Sequence, residues 1–133
     1  MLQALIAKAL DEVDFCDVAP IILRIFPNAI LEFNSKNTYF YAKLGKEVVG
    51  FAHVIEEEGR FILQGIGVLE GFREKGIGSR LADSAISFCE EKGATSISLK
   101  VEMANPAVLL YLKKGFFLKK IRDVYVLERR KNS

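Results

Sequence analysis

Val68-Leu69-Glu70-Gly71-Phe72-Arg73-Glu74-Lys75-Gly76-Ile77-Gly78-Ser79-Arg80-Leu81 is the stretch on which the reading of this chain turns: an apolar run stops, a basic, glycine-rich loop follows, and a helical pattern begins. Upstream, Phe61 to Leu69 is short, apolar and β-branched, as a buried strand would be, while Gly65 and Gly67 weaken it and hint at a bulge. Downstream, Ile77, Leu81, Ala85 and Phe88 fall on one face of a helix that Gly93 closes. A glycine-rich loop between strand and helix offers unpaired backbone N–H groups, and the positive end of the helix dipole points at the same opening. Such a seat suits an anion, phosphate best of all. The loop has neither the longer glycine spacing and Lys-Ser/Thr ending of a P-loop nor the Gly-x-Gly-x-x-Gly of a dinucleotide site. As a plain strand-to-helix turn it would use its glycines for positive φ and leave Arg73 and Lys75 solvated.

The spacing Arg73-x-x-Gly76-x-Gly78 resembles the pyrophosphate loop of the GNAT-type N-acetyltransferases, written as Arg or Gln, two residues, Gly, one residue, then Gly or Ala. A later segment, Asn105-Pro106-Ala107-Val108-Leu109-Leu110-Tyr111-Leu112-Lys113-Lys114-Gly115-Phe116, resembles that family's Asn…Tyr-x-x-x-Gly-Phe run, in the same order along the chain. The resemblance covers roughly residues 38 to 118 and implies acetyl-coenzyme A as co-substrate. It places the pyrophosphate against Arg73, Glu74, Lys75, Gly76, Ile77, Gly78 and Ser79, with Asn105 a further cofactor-binding residue. The pantetheine arm would lie along Ile66, Gly67 and Val68 like an extra strand. The glycines then have a use, because an opened, bulged strand leaves N–H and C=O groups for a ligand, and one N–H can polarise the thioester carbonyl. The other reading of those glycines is close packing alone.

The implied reaction is direct attack by a neutral amine on the thioester in a ternary complex, which needs both partners positioned, the amine deprotonated and the leaving thiolate protonated. By resemblance Tyr111 is the proton donor, although it sits six residues after Asn105 where the family's spacing is more often seven. A tyrosine packed in the core is the alternative. Glu102, at the end of the preceding strand, is the best-placed base by resemblance, with Lys100 standing where some relatives place an acid. His53, the only histidine, lies on a hairpin strand that in the family lines the acceptor side; a lone strand histidine is more often structural. Small amine, peptide N-terminus and protein lysine all stay open as acceptor. A non-catalytic acyl-CoA-binding sensor or interaction module is the alternative function, since it needs the same loop but not Tyr111. A nucleic-acid binder would need an aromatic-basic strand on which bases stack, and none is present.

The composition fits that frame. A length of 133 residues suits a single domain, 1–133, with one core, and half the residues are hydrophobic without a run long enough to span a bilayer. The net charge of +2 is too small to argue for nucleic acid. Cys16 and Cys89 are far apart and lack neighbouring metal-type ligands, so buried free thiols and no metal are expected. With no basic-then-apolar leader at the start, the expected location is cytoplasmic.

Leu2, Leu5, Ile6, Ala9, Leu10 and Val13 have helical spacing, and a second stripe follows in Val18, Ile21, Ile22, Ile25 and Phe26. Two opening helices are therefore expected, the second capped by Asp17, with Pro20 in its first turn and Pro27-Asn28 as its stop. Strands follow at 38–44 and 47–55 around a Gly45-Lys46 hairpin turn, then at 61–69 after Glu56-Glu57-Glu58-Gly59. After the central helix come a strand at 95–101, a helix at 105–114, and strands at 116–120 and 124–130. The expected class is α+β with a mixed central sheet flanked by helices, GNAT-like but lacking that family's usual first strand. The sheet edge so exposed would favour a homodimer.

Overall fold

Thr38 to Leu44 and Val48 to Ile55 mix aromatic, β-branched and polar residues, and they form two neighbouring strands of the sheet, β2 (Asn37–Leu44) and β3 (Glu47–Glu57). Their tight turn places Gly45 at φ +64°, a conformation glycine adopts without steric cost. The next hairpin leads into β4 (Arg60–Val68) through Glu58 and Gly59, both with positive φ (52° and 77°), as a primed two-residue turn demands. The computed structural model describes residues 3–131. The central helix α2 spans Ile77–Glu91, followed by β5 (Ser96–Val101), the short helix α3 (Ala107–Lys113), β6 (Phe117–Ile121) and β7 (Tyr125–Arg130).

The start of the chain departs from the expectation of two helices and no first strand. Leu5–Lys8 is a strand, β1, paired antiparallel with β2 from Leu5 opposite Lys43 to Lys8 opposite Phe40. The apolar spacing misled because the residues that made it helical are not on one buried face: Leu5 is 63% exposed, Leu10 76% and Val13 71%. An open edge of β2 offers backbone hydrogen bonds that a four-residue segment can take up directly. One helix, α1 (Glu12–Ile25), then replaces the expected pair. Its cap is Asp11, not Asp17: the Asp11 carboxylate accepts from the Asp14 N–H at 2.9 Å, and Asp14 accepts in return from the Leu10 N–H at 2.9 Å. Pro20 lies inside α1 rather than in a first turn, on an exposed position where the carbonyl it leaves unpaired is open to water.

The sheet has seven strands in the order β1-β2-β3-β4-β5-β7-β6, antiparallel throughout except for β4 beside β5. Helix α2 covers one face with Ile77, Leu81, Ala82, Ala85, Ile86 and Cys89, all buried. Helix α1 covers the other face with Val18 and Ile22, which pack on Tyr39 and Phe51. Cys89 is buried as expected, while Cys16 is exposed because the buried stripe of α1 runs through Val18 and Ile22 instead. Among the described residues, no helix is long and apolar enough to cross a membrane.

Candidate functional site

The apolar pattern of β4 contains the first clue to the site. Phe61 and Leu63 face the α2 side, and so do Ile66 and Val68, so the alternation slips by one residue between the pairs. The slip is a bulge: Val54 pairs with Leu63 but His53 pairs with Gly65, leaving Gln64 as the extra residue. On its other side β4 pairs with β5 only at Phe61 opposite Ile97 and Ile62 opposite Ser98. Beyond these two positions the strands fork. From Leu63 to Val68 the β5 side of β4 has no strand partner among the described residues, while β5 continues along β7 as far as Val101 opposite Tyr125. Ile66, Gly67 and Val68 therefore lie in the fork, with Ile66 and Gly67 buried.

Gly67 is required there by contact. A Cβ on it would stand 2.8 Å from the Phe51 ring and 2.9 Å from the end of Ile25, so any larger residue here forces those side chains aside. Gly65 is different, with its nearest neighbours at 3.8 Å or more.

β4 ends in the loop that the sequence singles out. Glu74 (φ 63°) and Gly76 (φ 81°) both adopt left-handed backbone, which curls the chain into a concavity ahead of α2. Gly76 is the N-cap of α2 and provides no capping side chain, and the first turn carries no acidic residue. No backbone N–H from Gly76 to Ser79 donates to a described residue; the first to do so is that of Arg80, to the Gly76 carbonyl at 3.1 Å. A row of N–H groups at a positive helix end is thus left for an anion. Arg73 donates through Nε to the Val68 carbonyl at 2.8 Å, holding its guanidinium across the mouth of the fork, and Lys75 is exposed. Arg80 points elsewhere, its Nη1 donating to the Ala4 carbonyl at 2.7 Å and fixing the chain that leads into β1.

The later segment packs onto the same place. A Cβ on Gly78 would rest 3.7 Å from both Leu110 and Val68, so the first turn of α2, α3 and the end of β4 meet there. Asn105 turns the chain into α3, its side-chain oxygen accepting from the Ala107 N–H at 2.9 Å. Tyr111 is 5% exposed, its ring edge-on to Phe116 at 5.8 Å. Burial pushes its phenol up to about 12. The hydroxyl donates to no described residue, yet among the described residues no buried side-chain oxygen is both sealed and unpaired, so the hydroxyl is not sealed off.

On the opposite face of the sheet the bulge opens into a cleft of about 370 Å³. Its walls are the end of α1 and the chain beyond it (Ile22, Ile25, Phe26, Pro27, Asn28, Ala29), Phe51 and His53 of β3, Gln64 and Gly65 at the bulge, and Glu102 just past β5. Glu102 is exposed at the mouth. His53 is buried, stacked on Tyr39 with ring centres 4.2 Å apart and bonded through Nε2 to Asn37 Oδ1 at 2.7 Å. Desolvation lowers its pKa to about 4.

The residues picked from the sequence thus divide by face: Gly78 and Tyr111 gather on the α2 side of the fork, Glu102 and His53 lie on the α1 side, and Asn105 stands between, its N–H donating to the Glu102 carbonyl at 3.0 Å as the chain turns into α3. The lining from Phe26 to Ala29 was missed, whereas the bulge that Gly65 and Gly67 hinted at is present, with Gln64 as its extra residue. The skipped alternation after Leu63 is a second signal for it.

The Acetyltransferase (GNAT) family model matches residues 2–116, a span that holds the fork and the loop. No curated protein matches the chain by sequence. Among solved structures, the PaiA N-acetyltransferase of Thermoplasma acidophilum in complex with coenzyme A superposes with a TM-score of 0.77 at 15% identity, covering 96% of this chain and 99% of that one. The ribosomal-protein-S18-alanine N-acetyltransferase of Escherichia coli gives 0.81 at 19% identity over 96% and 94%. Arabidopsis thaliana Naa50 in complex with the bisubstrate analogue CoA-Ac-MVNAL gives 0.72 at 19% identity over 95% and 99%.

Proposed function

Since the chain belongs to the GNAT family of acetyltransferases and takes acetyl-CoA as its co-substrate, we propose that it transfers the acetyl group to a primary amine held in the α1-side cleft, by direct attack in a ternary complex. One observation carries this reading. The fork between β4 and β5 ends at an N–H-lined loop and borders, at the Gln64 bulge, a cleft large enough for a small amine or the first residues of a peptide. Acetyl-CoA supplies the activated acetyl group. The residues suited to hold it are the loop from Arg73 to Ser79 for the pyrophosphate, the backbone of Ile66, Gly67 and Val68 for the pantetheine arm, and Asn105.

The proton balance then falls to two side chains. Glu102, the one carboxylate lining the cleft, attracts the ammonium form and accepts its proton through water. At pH 7.5 about a quarter of α-amines but only about one lysine side chain in a thousand are already neutral, so an exposed carboxylate suffices for the former and is a weak aid to the latter. Tyr111 faces the departing thiolate. A phenol near 12 is a weaker acid than a thiol in water, near 8.5, and donation would run uphill by about 5 kcal/mol. A thiolate formed in the same dry slot is raised by the same desolvation, which narrows that gap.

An acceptor panel tests the proposal: acetyl-CoA with an alkylamine, a polyamine, a lysine side-chain peptide and short peptides with free N-termini, followed by release of free thiol. Turnover that needs one of these amines is the expected result. Thiol release at the rate of acetyl-CoA plus buffer with every amine would overturn it.

A further inference from the structure

The hydrogen bonds around His53 fix which ring nitrogen carries the proton. A backbone N–H can only donate, so the Lys36 N–H, 3.0 Å from Asn34 Oδ1, identifies that atom as an oxygen. The same oxygen receives the side-chain NH₂ of Asn37 at 2.9 Å, and the NH₂ of Asn34 in turn reaches Glu32 at 3.1 Å. Asn37 therefore turns its Oδ1 toward His53, and the imidazole must donate to it through Nε2–H across 2.7 Å. Nδ1 is left with its lone pair. No described residue donates to Nδ1, and among the described residues no buried side-chain nitrogen is both sealed and unpaired, so Nδ1 is not sealed off, and the open space that the ring lines is the cleft.

We infer that His53 is a specificity-determining residue for the acceptor: Nδ1 accepts a hydrogen bond from an uncharged N–H adjacent to the reacting amine, so that the cleft selects amines followed by an amide over simple alkylamines. The inference rests on the cleft being the acceptor site. Its chemistry follows from the surroundings. Ile22, Ile25, Phe26 and Phe51 supply the apolar part of the walls, and apart from Glu102 the polar part, Asn28, Gln64 and the neutral His53, carries no charge, so a second ammonium group would find no further anion there. Glu102, the one carboxylate among the described lining residues, serves the reacting amine at the mouth. A neutral donor meeting a neutral acceptor is the pairing this wall rewards. The ring is fixed for the task by its stacking on Tyr39, whose hydroxyl is itself tied to the Glu32 carbonyl at 2.8 Å. Its low proton affinity keeps it neutral at pH 7.

The test compares alanyl-leucine amide with its ester analogue, in which the first amide N–H is replaced by oxygen and the α-amine is kept, using acetyl-CoA and thiol release. Wild-type protein should show a KM about tenfold or more higher for the ester at similar kcat, the effect of leaving one buried hydrogen-bonding group unpaired. His53→Leu should raise the KM of the amide to that of the ester and abolish the discrimination, and His53→Gln, which can present a carbonyl oxygen, should restore it in part. Equal KM for the two probes in the wild type overturns the inference alone, without any variant. So does discrimination that survives in folded His53→Leu, or a fall in kcat with the KM ratio intact. Failure to acetylate any amine in the panel sinks the acceptor-site reading as well. Independently of turnover, nitrogen NMR at pH 7 should find His53 protonated on Nε2, and an Nδ1–H tautomer would refute the assignment.

Discussion

His53 keeps a neutral ring inside the protein, and that has a consequence for stability at acid pH. Its folded pKa of about 4 lies below the usual 6.5, so between these values the unfolded chain binds a proton that the folded chain refuses. Stability is then full above about 6.5 and falls as pH drops toward about 4, by at most about 3 kcal/mol. The urea midpoint of the wild type should fall through this window, and that of His53→Gln should fall less. Glu128, held low by hydrogen bonds from Arg130 and Lys119, also loses its contribution on acidification, but equally in both proteins. Parallel curves for the two would refute the claim. At Tyr111 the separable quantity is the hydroxyl, since Phe keeps the edge-on contact with Phe116. Tyr111→Phe should lower kcat on the order of a hundredfold with the affinity for acetyl-CoA nearly unchanged, as expected for one general acid. A lower melting temperature with kcat within about threefold of wild type would assign the residue to packing.

Among the elements, β2 to β7, α2 and α3 were legible to within a residue or two, because each combines a clear period with a turn or cap at its ends. The opening was not. A four-residue edge strand is too short to display alternation, and Asp11-Glu12-Val13-Asp14 had to compete as a cap with the more conspicuous Asp17 and Pro20. In the site the loop was legible because backbone chemistry dictates glycines, whereas the cleft is assembled from Phe26, Phe51, Gln64 and Glu102, which no local pattern joins. Two glycines separate backbone need from ligand need. Gly78 has ordinary room for a Cβ, at 3.7 Å from its neighbours. Gly78→Ala should therefore keep the fold, and Gly78→Glu should abolish acetyl-CoA binding in calorimetry by aiming a carboxylate at the phosphate seat. Undiminished affinity in folded Gly78→Glu would remove the loop from the cofactor site. Gly67→Ala, in contrast, drives a methyl against Phe51 at 2.8 Å and should destabilise by about 1–3 kcal/mol in urea unfolding whether or not ligand is present.

At the scale of the whole molecule, the sheet is two antiparallel blocks, β1 to β4 and β5 to β7, and within it their strand pairing amounts to Phe61 with Ile97 and Ile62 with Ser98. The remaining connection is the packing of α2 and α3 over one face. A ligand lying along Leu63 to Val68 would bond the free edge of the first block while its phosphates engage the start of α2, and so would act as a missing rung between the blocks. Such a ligand binds only the folded state, and at a hundred times its Kd it stabilises by about 2.7 kcal/mol, or roughly 10 °C in melting temperature for a chain of this size. Where protection appears is the sharper measurement. Hydrogen exchange with and without acetyl-CoA should show the gain concentrated at the amides of β4 beyond Ile62 and of the loop from Arg73 to Ser79, with β1 and β2, already paired along their length, changed only by the global increment. Protection that rises uniformly, with no excess at the fork, would mean that the ligand rests on the surface of the loop and that β4 and β5 diverge for reasons of packing alone.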